Sequence, residues 1–149
     1  MLKGIKKYFG IKELVCPHVY KRFGESAWTF FDPRLLEVLL FIRETLGKRI
    51  YINNWARGGN LSQRGLRCNC CELVKSKTLA GTVYMSAHNF AMAVDFNVEG
   101  MSVSEVHAWI EQNKHLLPHP IRLEEPDGVN RVHLDVRSDG SKPITWFKA

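Results

Sequence analysis

The chain is expected to fold as an α+β domain, a small antiparallel sheet with helices packed on one face. Three stretches carry that expectation: an apolar helical repeat after Asp32, a capping box at Ser102, and an alternating strand from Arg131 to Arg137. A length of 149 residues suits one domain over 1–149, with an N-terminal segment (1–31) and a core (32–149). Hydrophobic residues make up 45% and charged residues 24% of the chain. That balance excludes a mainly disordered, collagen-like or coiled-coil chain.

Asp32-Pro33 opens the first helix, because Asp is a good N-cap and Pro lacks the N–H that would go unpaired in the first turn. Leu35, Leu39, Ile42 and Leu46 follow at helical spacing, and Gly47 supplies a C-cap. Residues 48–53 alternate like a short strand. From Ala56 to Lys77 the pattern breaks at Gly58, Gly59, Gly65 and three cysteines, so a long structured loop is expected. Val83-Tyr84-Met85 reads as extended, and Ala91–Phe96 as a buried strand. Ser102 and Glu105 form a capping box for a second helix that buries Val106, Trp109 and Ile110. Prolines 118, 120 and 126 bound a loop around a strand near Ile121-Arg122-Leu123. In the last strand Val132, Leu134 and Val136 alternate with His133 and Asp135, which puts the His and the Asp on one face.

Lys and Arg number 21 against 15 acidic residues, a formal charge of +6 that suits an anionic partner such as nucleic acid or a polyanionic wall polymer. No stretch has the eighteen or so apolar residues of a membrane span. The N-terminus Met1-Leu2-Lys3-Gly4-Ile5-Lys6-Lys7 is basic without an apolar region behind it, so no signal peptide is expected. A cytoplasmic product results, reaching an extracellular target only after lysis or from a virion. A monomer is expected.

Four cysteines are too few for a disulfide scaffold. Cys16-Pro17-His18 and Cys68-Asn69-Cys70-Cys71 read instead as Cys-x-His plus Cys-x-x-Cys. Cys16, His18, Cys68 and Cys71 would close a tetrahedral structural zinc site, pinning the long loop to the N-terminal segment. Buried thiols acting as small hydrophobes are the plainer alternative.

A second donor set is open. Catalytic zinc takes three protein ligands and keeps one position for water. His88, Asp95 and His133 would supply two imidazoles and a carboxylate. Six residues separate His88 from Asp95, a spacing too long for two ligands on one helix face but suited to a turn followed by a strand.

Ser86-Ala87-His88-Asn89-Phe90-Ala91-Met92-Ala93-Val94-Asp95, followed by Val132-His133-Leu134-Asp135, resembles the zinc D-alanyl-D-alanine carboxypeptidases and phage endolysins of the VanX/VanY-like group. The resemblance spans roughly Asp32 to Val136 and implies the hedgehog-like fold of that group. It implies Zn²⁺ on His88, Asp95 and His133, hydrolysis of a peptide bond in peptidoglycan stem peptides, and a phage or prophage type. Ala91 stands where the group usually has Gly. Asn130 stands where many relatives carry the general-base Glu, and Arg131 where a Trp is common. A different base is therefore required: Asp135 first, with Asp127, Glu124 and Glu125 as further candidates, while Asp135 could equally orient His133. The group also holds substrate with an Arg from the loop after the first strand. Arg57 matches that place best, with Arg64 and Arg67 as rivals, and Ser86 is a further substrate contact. The missing Glu and Trp also fit a non-catalytic zinc-binding module of the same fold, used for cell-wall or protein binding. A nucleic-acid protein with a Cys/His zinc site is the least supported reading.

Overall fold

A computed structural model describes residues 2–149. The N-terminal segment forms three short helices, α1 (Leu2–Lys6), α2 (Ile11–Leu14) and α3 (Pro17–Phe23), followed by a 3₁₀ stretch over Gly24–Phe30. Then come α4 (Pro33–Leu46), β1 (Ile50–Tyr51), α5 (Glu72–Leu79), β2 (Ala93–Val98), α6 (Val103–Gln112), β3 (Ile121–Glu124), β4 (Val132–Asp135) and β5 (Ile144–Phe147). The fold class is α+β.

The five strands lie in the order β1-β2-β4-β3-β5. The sheet is mixed rather than wholly antiparallel, because the chain leaves β4, crosses 136–143 and returns beside β3 in the same direction. The register matters for the site: Asp95 faces His133 across β2 and β4, and Arg122 faces Asp135 across β3 and β4. One step further along, Glu124 falls opposite His133. The even-numbered residues Val94, Phe96, Val132 and Leu134 enter one hydrophobic core with Leu35, Leu39 and Ile42 of α4 and Val106 and Ile110 of α6. Ile5, Ile11, Leu14 and Trp28 belong to that same core, so the described part of the N-terminal segment, 2–31, is built into it.

The helix signals operate as expected. Asp32 Oδ1 accepts the Arg34 amide, and Gly47 ends α4 at φ 66°. Ser102 and Glu105 exchange both capping bonds. Three expectations are corrected. The strand expected over 48–53 keeps only two paired residues. The loop expected over 56–77 contains the start of α5, which buries Val74 alone and so carries little amphipathic signal. Trp109 is only partly buried.

Two close backbone features prepare the site. Gly65 lies against α2, where an added Cβ would stand 2.0 Å from the Leu14 carbonyl oxygen. Only glycine permits the parallel bridge between Val15 and Leu66 that follows. Ala91 sits in the left-handed region at φ 53°, a conformation costing a non-glycine residue about 1–2 kcal/mol. The turn there sends the chain from His88 back into β2.

Candidate metal centre

His88, Asp95 and His133 arrive from two separate signals. Asp95 and His133 are cross-strand partners on the polar face of the sheet. His88 sits in a 3₁₀ turn (Ala87–Phe90) opened by Ser86, whose Oγ accepts the His88 amide. Their donor atoms converge. His88 Nε2 is 3.3 Å from His133 Nδ1 and 3.3 Å from Asp95 Oδ1, and His133 Nδ1 is 2.8 Å from Asp95 Oδ1. A tetrahedral ion with bonds near 2.1 Å needs donors about 3.4 Å apart, so the three atoms have the spacing of one coordination shell.

The outer hydrogen bonds aim lone pairs inward. The Gly65 carbonyl accepts from His88 Nδ1 at 2.9 Å, which leaves Nε2 as the free acceptor. Asp135 Oδ2 lies 2.8 Å from His133 Nε2, so this nitrogen donates outward and Nδ1 turns to the centre. With both outer nitrogens donating away from the centre and both rings neutral, two imidazole lone pairs and a carboxylate oxygen would face one point, an arrangement that suits a cation able to displace the His133 proton.

Electrostatics agree. Burial lowers the His88 pKa, so it is neutral near pH 7. Burial alone would raise Asp95, but hydrogen bonds from His133 and His88 hold it well below the usual carboxylate range. Burial opposes the His133 imidazolium as well, yet Asp135 and Asp95 raise its pKa to about 9. In the metal-free protein His133⁺ therefore stabilises the fold fully below the ordinary histidine value of ~6.5, and that contribution is lost as pH rises through about 9. The same proton competes with a metal. Affinity at this centre is expected to rise about tenfold per pH unit between 6.5 and 8.5, read by competition with a chromophoric chelator. A flat profile would show that His133 is not the proton acceptor displaced.

Asp135 does not act on the open side of the site. It is fully buried, and Arg122 grips both its oxygens at 2.8 Å. Of its two expected roles, base or orienting carboxylate, these contacts fit the orientation of His133. Asp135→Asn is expected to weaken metal binding by about 10–100-fold, measured by the same competition titration, with the fold retained by circular dichroism.

The other sequence candidates separate clearly. Arg57 is exposed in a 3₁₀ turn and lines a different cleft, so it is corrected as the substrate arginine of this centre. Arg64 turns to Asn97, with Nη1 2.7 Å from Oδ1, and borders an adjoining cavity with Arg67 and Arg131. Arg67 and Arg131 touch the centre itself, at 3.4 and 3.1 Å from Asp95 Oδ2. Asn130 stays outside, its carbonyl accepting from Asn97. Of the acidic candidates, Asp127 is exposed and Glu125 pairs with Lys148 at 3.7 Å. Glu124 is 8% exposed and lines the cavity of about 190 Å³ that opens onto His88, Asp95 and His133. Ser86 also lines it. Sequence reading singled out neither Arg131 as a site residue nor Glu124 above its neighbours. The signal available for Glu124 was the strand pairing, which sequence alone does not reveal.

A four-donor set lies behind this centre. Cys16 Sγ is 3.6 Å from Cys68 Sγ, Cys68 Sγ is 3.9 Å from Cys71 Sγ, and Cys71 Sγ is 3.9 Å from His18 Nδ1. All four donors fall within 4.8 Å of one another. Sulfurs bound at about 2.3 Å in a tetrahedron stand about 3.8 Å apart. Hydrogen bonding from Cys71 lowers the Cys16 thiol pKa, while that contact raises Cys71 and burial raises Cys68, so Cys16 is the most acidic thiol of the set. Cys70 is exposed and outside the set. This second group clamps the loop bearing Gly65 and Arg67 to the N-terminal helices, and so supports the first. The chain matches no protein-family model, no curated protein and no solved structure. Both donor sets can hold a metal.

Proposed function

We propose that the chain is a zinc metallopeptidase of the VanX/VanY-like kind, hydrolysing a peptide bond in peptidoglycan stem peptides, with a second, structural zinc on Cys16, His18, Cys68 and Cys71. The observation carrying this reading is the convergence of exactly three donors, His88, Asp95 and His133, on one point beside an accessible cavity. Four donors would make a closed structural site, whereas three leave a position for solvent. A Zn²⁺ bound there would acidify its water towards pH ~7 and polarise the scissile carbonyl.

The chain's own groups supply the rest. Glu124, at the cavity wall and 3.9 Å from Arg131, takes the proton from the attacking water and delivers it to the leaving amine. Arg67 and Arg131 neutralise Asp95 and offer guanidinium N–H groups to the developing oxyanion. Asp135, through Arg122, holds the His133 ring in place.

The alternative, a non-catalytic zinc-binding module for the cell wall or a protein, is favoured by Asn130, which cannot accept water's proton. Purified protein is expected to carry two zinc ions per chain and to release free amine from stem peptide. His88→Ala and His133→Ala should each keep one zinc and lose the release. Two zincs without hydrolysis would select the binding module, and a single zinc lost on Cys68→Ser alone would remove the peptidase reading.

A further inference from the structure

A cleft of about 480 Å³ lies apart from the metal centre. It lies between the N-terminal helices, the end of α4, β1 and the turn at Trp55–Arg57. Five cations line it, Lys7, Lys12, Arg43, Arg49 and Arg57, and among the described residues none has a carboxylate within 4 Å. Its two acids are already engaged: Glu13 accepts the Gly10 amide at 2.8 Å, and Glu25 accepts the Trp28 indole N–H at 3.0 Å. The cleft therefore holds a net +3, half the chain's formal charge. Lys7 and Arg43 lie over Tyr8, Lys12 over Tyr20 and Arg49 over Tyr51, but these contacts leave the charge in place, and like charges drawn together from four segments raise each other's energy unless an anion joins them.

We infer that this cleft binds the phosphodiesters of a flexible anionic wall polymer, a polyol-phosphate chain, and so anchors the protein beside its peptide substrate. The choice of a wall polymer rests on the peptidase reading, whereas the anion site rests on the cleft alone. Arg43, Arg49 and Arg57 offer planar forks that suit phosphate oxygens. Nucleic acid fits less well. The one aromatic ring in the cleft, Tyr8, already has Arg43 at 4.5 Å and Lys7 at 5.4 Å over it, so no free platform remains for stacking bases.

Asn53 links the cleft to the metal centre. Its side chain donates to the Val15 carbonyl and accepts the Arg64 amide, so cleft floor and site loop are joined by hydrogen bonds.

The test is binding of the zinc-loaded full chain to fluorescent poly(glycerol phosphate), followed by anisotropy. With about three phosphates neutralised, affinity is expected to fall roughly tenfold or more between 50 and 200 mM NaCl. The triple variant Arg43→Gln/Arg49→Gln/Arg57→Gln should bind at least tenfold more weakly and lose most of that salt dependence. Lys21→Gln/Lys75→Gln/Lys142→Gln, equal in charge but outside the cleft, should bind like the parent. Equal losses in both triple variants would reduce the effect to net charge and overturn the site. Tighter binding of oligo-dT than of the polyol phosphate would overturn the partner. His133→Ala should bind as the parent does, so failure of the peptidase reading leaves a separate mark from failure of this one.

Discussion

Cys68→Ser is expected to lower the melting temperature by at least about 10 °C and to remove one zinc per chain, while Cys70→Ser leaves both unchanged. The two cysteines are two residues apart, yet only Cys68 stands within bonding range of Cys16, His18 and Cys71. A structural zinc site contributes about 10–16 kcal/mol in small domains, against a total stability of about 5–15 kcal/mol for a typical domain. Losing even a third of that contribution would move the melting point of a chain this size by about 10 °C or more. The damage should spread beyond the clamp, because Leu66 pairs with Leu14 and the neighbouring Gly65 carbonyl aims His88. Calorimetry with parallel metal analysis checks this. Equal melting points for Cys68→Ser and Cys70→Ser would mean that the four donors hold no ion.

Glu124→Gln is expected to cut kcat by about 10²–10⁴-fold, the usual worth of a general base, or about 3–5 kcal/mol of barrier. Gln is isosteric and retains hydrogen bonding, so zinc stoichiometry and melting temperature should hold. Glu125→Gln, Asp127→Asn and Asn130→Ala should each stay within a few-fold of the parent, since these residues lie outside the cavity. Assays of amine release at saturating zinc would show this loss in Glu124→Gln alone among the four. If Asp135→Asn kept its zinc at saturating metal and still lost more activity than Glu124→Gln, the assignment of the base would move to Asp135.

How much was readable without coordinates depended on whether a feature is local. Asp32-Pro33 and Gly47 bound α4, and Ser102 with Glu105 opens α6, because caps satisfy orphan backbone groups within a few residues. Period-two alternation correctly put His133 and Asp135 on one face. The two donor sets were legible too, since zinc demands particular atoms and the chain has few clusters of His, Cys and carboxylate to offer. By contrast α5, with Val74 its only buried residue, has almost no periodic signal. The parallel return of β5 depends on a crossover that no local pattern encodes.

The sequence by itself thus determined the α+β class, the main helix boundaries and which side chains are fit to bind a metal. Tertiary structure alone decided the division of labour among identical residue types. Arg57 and Arg67 are equal as text, yet one lines a remote cleft and the other reaches Asp95. Asp135 and Glu124 are both carboxylates near His133, but Arg122 occupies the first and the cavity receives the second. The reason is physical: donor chemistry belongs to the residue, whereas burial, partner and reach belong to strand register and chain crossing, which form only when distant segments pack.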